Sequence, residues 1–572
     1  MKKLFTLNSI LYISLLIVLM QAQMIQAQWS NDPNVNNCVT NADKTQEGSR
    51  IVNDGQGNLI IGWNDSRAST DQYNTSLIYT QKYSPDGIAQ WADNGINFLS
   101  SNNGKYLLYR IIKSENGKVI FGYSNFAYKD NFLSFSYIDV SKQDENGVML
   151  WTKNVFSNPI SSISPVSFFS DHSYGVVIVA DSREYLQDDF DIIAQRVNST
   201  GVLKWGLQGI KICSANSNQT TPKSMVNSDG YIFFVWQDYR TDSMWGDIYA
   251  QKVDSSGAIK WTNDGIAVCA NSNGQGYPQI VTDNNGGIFV TWLDYIPFNK
   301  STLRMQHINK NGDLLLDSNG ILICDTTING VPSFISDNAG GAIIVWPDNR
   351  NADDDIYAQR INADGSTQWT NGGMPVSTAL GNQSNPMAIP DGNGGIIITW
   401  ADYRNDVFFS DIYAQRLNHA GTPLWTTNGV AISTAPGNQS SPAIATDGNE
   451  GAVISWTDDR NGSGNYDIYA QKIDKNGNLG SVANLIRPVG ETSSPVNIYP
   501  NPMKDNLYLK LNNSPDDKVI ICLYSIDGTL VKEAKYGNKK LITIPVSGLK
   551  KGIYMLEVKG RNINYYTKIL KQ

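Results

Sequence analysis

The most regular feature of the chain is a short apolar run that ends in tryptophan and is followed at once by a carboxylate and a cation. It reads "LIIGWNDSR" at Trp63, "YIFFVWQDYR" at Trp236, "AIIVWPDNR" at Trp346, "IIITWADYR" at Trp400 and "AVISWTDDR" at Trp456. Weaker copies are "VIFGYSNF" at Tyr123, "VVIVADSR" at Ala180 and "IFVTWLDY" at Trp292. Successive copies are 60, 57, 56, 56, 54, 54 and 56 residues apart, which makes eight units of about 55 residues. Within each unit the pattern is the same. A short strand and a tight turn such as "DGNEG" precede the tryptophan run. A variable loop, a "DIYAQ" strand, a "DxxGxxxW" turn and a last short strand such as "GVAIS" follow it. Apolar runs of this length between Gly- and Asp-rich turns predict strands joined by hairpins, with no helical periodicity.

Four antiparallel strands repeated eight times predict an all-β, eight-bladed β-propeller, with a seven-bladed ring carrying one aberrant unit as the alternative. The eighth unit has its "DIYAQ" strand but lacks the tryptophan and strand that should come next. A matching orphan lies near the N-terminus, where "QWSNDPNVNNCVT" resembles "KWGLQGIKICSAN". Aligning Trp29 with Trp205 and Cys38 with Cys213 predicts that residues 29–40 complete the last blade and close the ring.

The repeated side chains admit two chemistries. Six Asp-x-Arg pairs (Asp65/Arg67, Asp181/Arg183, Asp238/Arg240, Asp348/Arg350, Asp402/Arg404, Asp458/Arg460) are either a ring of ligand-binding charges or one loop brace per unit. An active site is unique and these are not, so the brace is the expectation. The glutamines at 81, 195, 251, 306, 359, 415 and 471 are expected to bond backbone groups. "DENGVMLW" and "NADGSTQW" resemble the Asp-box hairpin of sialidase-type propellers, with one extra residue before the tryptophan. Cys38, Cys213, Cys269 and Cys324 read as equivalent core positions, too far apart for disulfides. His172, His307 and His419 share no metal-ligand spacing, and no metal or cofactor is expected. The one acidic cluster, "NADDDIY" at 351–357, could hold Ca²⁺, against the alternative of a solvated loop.

Lys2 and Lys3, an apolar run and "QAQMIQAQ" predict a signal peptide over residues 1–27, with a retained anchor as the alternative. No later run reaches the roughly 20 apolar residues that a spanning helix needs. The net charge of −8 argues against nucleic acid as a partner.

After residues 28–487 and a linker at 488–495, the pattern changes. Residues 501–572 hold 13 Lys and Arg against 6 Asp and Glu. Runs such as "LYLKL", "VIICLYS", "LITIPV" and "IYMLEV" predict a small Ig-like β-sandwich over 496–572. "IYPNP" (with Tyr499, Pro500, Asn501 and Pro502), "YSIDGTLV" (Asp527, Gly528), "VSGLKKGIYMLEV" (Leu549, Gly552, Tyr554) and the end "TKILKQ" (Lys568) resemble the type A C-terminal sorting domain of type IX (Por) secretion cargo in Bacteroidetes. The resemblance implies Sec export, passage through the type IX machinery, and release or attachment to surface lipopolysaccharide.

The expected function is therefore that of an exported or surface-displayed propeller that binds a glycan or a protein. The alternative is a secreted glycoside hydrolase acting on polysaccharide, which would need two converging carboxylates. Function is expected where the repeat fails, and Trp245 and Phe298 in the divergent loops of units four and five are the candidate ligand-binding residues.

Overall fold

The computed structural model describes the chain from Trp29 to Lys571, apart from residues 70–75, 100–104, 130–131, 157–166, 184–188, 242–243, 297–299, 463, 481–495, 500–502, 512–518, 526–528, 538 and 561–562. Among the described residues all regular structure is β-strand, with no helix. Two compact units divide at Ser481/Val482.

The larger unit is a succession of four-stranded antiparallel sheets, one per sequence repeat. They are numbered here in chain order, with the seventh as the clearest example: Gln383–Pro390, Ile396–Asp402, Asp411–Leu417 and Val430–Ser433. Its second and third strands are buried at every residue. A strand covered on both faces needs no polar alternation, which explains the unbroken apolar runs of the sequence. The first strand of each sheet packs against the first strand of the next, and that of sheet 8 (Gln439–Thr446) packs against that of sheet 1 (Gln46–Asn53), so the first strands form a closed circuit.

Neighbouring sheets are joined by one recurring device. In sheet 7 the turn residue Asp391 accepts the amide N–H groups of Asn393 and Gly395 on Oδ1, each at 2.8 Å. This arrangement is an Asx turn. Its Oδ2 accepts from Arg416 Nε at 2.9 Å. Arg416 reaches on with Nη1 to the Lys475 carbonyl of sheet 8, and Trp425 Nε1 donates to that same carbonyl, both at 3.1 Å. One step earlier, Trp369 donates to the His419 carbonyl and its ring presses on Gly421. A Cβ on Gly421 would stand 2.8 Å from that ring, and φ is +80°, so only glycine fits.

The N-terminal segment does complete sheet 8. Asn37–Thr40 pairs with Asp467–Ile473, and Gln471 Nε2 donates to the Ser30 carbonyl. The device closes there as elsewhere: Trp29 Nε1 and Lys472 Nζ both donate to the Pro85 carbonyl of sheet 1, at 3.1 and 3.3 Å. The alignment of Cys38 with Cys213 is corrected. Thr40 pairs with Ile468 as Cys213 pairs with Ile192, whereas Cys38 faces Tyr469 and is exposed. The loop after Trp29 is longer than its counterparts, so counting from the tryptophan stops short. All five cysteines are free, and Cys213, Cys269 and Cys324 are buried as expected.

In the smaller unit, a three-stranded sheet (Val496–Tyr499, Asn506–Leu511, Leu541–Pro545) and a four-stranded sheet share one core. The four-stranded sheet runs Leu530–Tyr536, Val519–Ser525, Gly552–Gly560, Ile563–Lys571. The strand Leu541–Pro545 alternates exposed and buried residues strictly, as a sheet with one solvated face requires.

Trp29→Ala should lower the stability of the larger unit by about 3–5 kcal/mol, the cost of truncating a buried tryptophan. Cys38→Ser should stay within about 0.5 kcal/mol, as an exposed substitution does. Guanidinium-induced unfolding of the exported chain measures both, and equal effects would contradict the closure described above.

Candidate functional site

The Asp-x-Arg pairs are braces. In sheet 7 the Asp402 carboxylate is wholly buried at the end of the tryptophan strand. It accepts Trp400 Nε1 on Oδ2 at 2.7 Å, and the Arg404 backbone N–H and Nε on Oδ1 at 3.0 and 2.8 Å. Arg404 Nη2 adds a further bond to Oδ2 at 2.6 Å and one to the Asn428 carbonyl at 2.7 Å. The guanidinium lies 3.8 Å over the Tyr413 ring of "DIYAQ". Sheets 1, 4, 6 and 8 repeat the clasp on Asp65, Asp238, Asp348 and Asp458. Burial disfavours the charged form of Asp348, but the bonds from Arg350 and Trp346 prevail and hold its pKa below the usual carboxylate value. Sheet 3 departs from the pattern: Ala180 replaces the tryptophan and Arg183 lies over Phe190.

Sheet 5 keeps the brace by another route. Ile296 stands where arginine is expected, and Arg304, paired with Trp292 in register where other sheets have tyrosine, donates Nε to Asp294 at 2.9 Å. The glutamines also behave as expected. Gln415 donates to the Thr426 carbonyl at 2.9 Å and accepts the Trp425 N–H at 3.0 Å, fixing the turn within its own sheet. The acidic cluster is occupied by amides: Asp353 accepts from Gly381 N, Asp354 from Asn329 Nδ2 and Asp355 from Asn351 Nδ2. No group of three His, Cys, Asp or Glu residues suited to a metal occurs among the described residues.

Trp245 is where the repeat gives way to an accessible surface. It is 50% exposed and borders a pocket of about 520 Å³ with Asn273, Tyr295, Lys300 and Asn329. Its carbonyl accepts Gln237 Nε2 at 3.2 Å, and the next carbonyl, of Gly246, accepts Gln275 N from sheet 5 at 3.0 Å, so the loop is tied to both sheets. Gly274 makes the fit possible, because a Cβ there would meet the Trp245 Cβ at 2.7 Å. Tyr239 and Tyr277 are close enough to Tyr295 to act on its hydroxyl. Burial first, and these neighbours second, push its pKa up to about 12. Tyr277 is itself 50% exposed and holds φ of +54°. The equivalent residues Gly48, Thr221, Asn385 and Ser441 share this left-handed conformation, at a break in the register of the first strand. Phe298, the other predicted ligand residue, lies outside the described residues. Among the described lining residues of the pocket, none is a carboxylate. Sequence reasoning missed Tyr277 and also the exposed run Val407, Phe408 and Phe409 in sheet 7. Tyr277 is an aromatic at a repeat position that holds glycine, threonine, asparagine and serine in sheets 1, 4, 7 and 8, and Phe408 and Phe409 occupy the loop positions that Met244 and Trp245 hold in sheet 4.

In the smaller unit the predicted sorting residues fall as follows. Tyr499 ends the strand Val496–Tyr499 and pairs with Tyr508. Pro500, Asn501, Pro502, Asp527 and Gly528 lie outside the described residues. Met503, just beyond, is buried and donates its N–H to the Leu570 carbonyl of the last strand at 2.7 Å. Leu549 packs on the core. Gly552 opens its strand at φ +151°, which favours glycine. Tyr554 is buried and donates its hydroxyl to the Lys550 carbonyl at 2.9 Å. The backbone of Lys568 pairs with Met555.

Comparison with known proteins identifies the smaller unit. Residues 497–572 match the family of secretion system C-terminal sorting domains. The protein is therefore type IX cargo, secreted or attached to the outer-membrane surface. No curated protein matches the chain. Among solved structures it is similar to an ulvan lyase of a new polysaccharide lyase family, at 10% identity over 66% of this chain and 94% of the other, with a TM-score of 0.40. A protein of unknown function from Dyadobacter fermentans matches at 9% identity over 76% and 97%, with a TM-score of 0.35. The NanB sialidase of Streptococcus pneumoniae matches at 11% over 66% and 68%, with a TM-score of 0.32. Among the described residues no helix is long and apolar enough to cross a membrane.

Asp402→Asn should destabilise the larger unit by about 3 kcal/mol, because it leaves a mostly buried guanidinium without its charge partner. A carboxylate with a lowered folded-state pKa contributes stability above its unfolded value of about 4, and that contribution is lost as pH falls through the folded value. Denaturant titrations between pH 2 and 5 should therefore show a shallower pH dependence in Asp348→Asn than in the parent. Deleting residues 494–572 should hold the protein in the periplasm; its normal arrival in the medium would contradict the sorting assignment.

Proposed function

We propose that the larger unit is an eight-bladed β-propeller spanning residues 28–487, and that it acts as a binding module for glycans outside the cell. A signal peptide over residues 1–27 starts its export. The smaller unit, an Ig-like β-sandwich on this reading, hands it to the type IX machinery for release or for attachment to surface lipopolysaccharide. The observation that carries the binding role is the pocket at Trp245. Half-exposed Trp245 and neighbouring Tyr295 offer flat apolar faces, and Asn273, Asn329 and Lys300 supply polar groups around them. Sugar rings present the same combination of apolar faces and hydroxyl edges, and pockets of this make-up orient ligands with few polar contacts. Tyr277 supports the reading: it is a half-exposed aromatic beside Tyr295, at a position that holds glycine, threonine, asparagine and serine in sheets 1, 4, 7 and 8. A hydrolase would need paired acids, and the described lining supplies none.

A glycan array on the exported chain, followed by calorimetry with the best ligand, tests this. Trp245→Ala should weaken binding at least about tenfold, in line with the truncation of an aromatic anchor, with an unchanged unfolding midpoint. Tyr277→Gly should weaken binding while raising stability, since it relieves the left-handed strain. Full retention of affinity in both variants would overturn the assignment of the pocket.

A further inference from the structure

The second place where the repeat fails lies on the inner circuit of first strands. In every sheet one residue of the first strand pairs with the residue just before the tryptophan position. In chain order these are Arg50, Arg110, Ser167, Lys223, Gln279, Ser333, Met387 and Ala443, opposite Gly62, Gly122, Val179, Val235, Thr291, Val345, Thr399 and Ser455. One register position, repeated around the circuit, thus carries three cations within four consecutive sheets and neutral residues in the other half. The pairing with the tryptophan strand is the same in each copy, so it does not by itself require the charge.

Arg110 is close enough to repel both Arg50 and Lys223, and none of the three makes an ion pair with a described residue. Burial, and then the charge of Arg110, lower the pKa of both Arg50 and Lys223. Arg110 is itself exposed on its strand, open to a ligand on the inner circuit. Arg50 is held in place by backbone carbonyls, with Nε on Tyr109 O at 2.9 Å and Nη1 on Gly48 O and Ser49 O at 3.2 and 2.9 Å. Arg110 has only the distant face of Phe169, at 6.0 Å. Neither Arg110 nor Lys223 makes an ion pair or hydrogen bond with a described residue. Most cations of the clasps and turn devices are paired with an acid, as Arg404 is with Asp402 and Arg416 with Asp391, and Lys252 in sheet 4 donates instead to the Lys310 carbonyl at 2.8 Å. Clustered like charges repel one another, and an anion between them relieves that repulsion through charge-assisted hydrogen bonds.

We propose that Arg50, Arg110 and Lys223 form an oxyanion-binding site on the inner circuit, taking a carboxylate, sulfate or phosphate group. Ser167 and Gln279, at the same register position in sheets 3 and 5, add neutral donors to the same arc. The fixed guanidinium of Arg50 sets the position, and the unpartnered Arg110 and Lys223 close on the ligand. The site is separate from the Trp245 pocket, and it stands or falls independently of glycan binding there. An acidic sugar and a free inorganic anion share the chemistry it recognises.

Thermal unfolding of the exported chain, in chloride and then in sulfate, phosphate or glucuronate at matched ionic strength, tests the proposal. The parent should gain about 2 °C or more with at least one oxyanion over chloride, since ligand binding to the folded state raises the midpoint. A response to glucuronate but not to the inorganic ions assigns the site to an acidic sugar; the reverse assigns it to a free inorganic anion. In Arg110→Gln, and separately in Lys223→Gln, the gain should be lost, while the midpoint in chloride should stay level or rise as repulsion is removed. No oxyanion-specific gain in the parent, or an undiminished gain in whichever variants fold, would overturn the proposal.

Discussion

Everything in the larger unit depends on a carboxylate that has no access to water. Asp402 and its four counterparts are wholly buried, where an unpaired negative charge would be prohibitively costly. Each is answered by an indole N–H, a backbone N–H and a guanidinium bound in two-pronged fashion, and charge-assisted bonds of that kind are among the strongest available to a protein. The tryptophan and arginine that satisfy the aspartate are thereby locked, and each then serves a second purpose. The indole fills the space between sheets, and the guanidinium covers the tyrosine of "DIYAQ" while pinning the carbonyl of Asn428. One electrostatic obligation thus couples a strand end, a loop and a facing ring. A chain that meets it in most of its repeats can vary its loops with little structural cost.

Sheet 5 shows that the obligation is chemical rather than a matter of sequence position. Its arginine comes from the adjacent strand, at the register place of a tyrosine, and still reaches the aspartate. The indole of Trp292 has no acceptor in this version, which marks the limit of the substitution. The same economy appears between sheets. The carbonyl of Lys475 accepts from an indole and a guanidinium of the preceding sheet, and the Pro85 carbonyl does so with an indole and an ammonium at the closure.

The repeat, the order of strands, the brace role of Asp-x-Arg and the return of the N-terminal segment to the last sheet were legible because each is written as a period in the chain. Trp245 was legible as a departure from that period. The position of Thr40 was not, because a loop of altered length separates it from Trp29 and only the pairing with Ile468 fixes the register. The arc of Arg50, Arg110 and Lys223 was hidden for a related reason. A break in the strand register precedes each of the three, and their common depth emerges only from their partners Gly62, Gly122 and Val235. Arg304 was illegible because its role depends on a cross-strand neighbour rather than on the motif it belongs to. The C-terminal unit was legible by resemblance, through motif residues that lie partly outside the described structure.

The pairing of the first strand with the last sheet also sets an order of events. Ser30 and Gln471 meet across 441 residues of sequence, so this contact has the longest loop to close. Contacts of such separation slow folding, since the chain loses its entropy before the contact repays it. Until the eighth repeat has emerged, Asn37–Thr40 has no partner strand, and sheet 8 keeps an unpaired edge of the kind that invites association with other chains. The larger unit therefore has a latch rather than a seam: seven sheets can assemble in sequence as they are made, and the ring becomes a finished object only when its first and last segments are present together.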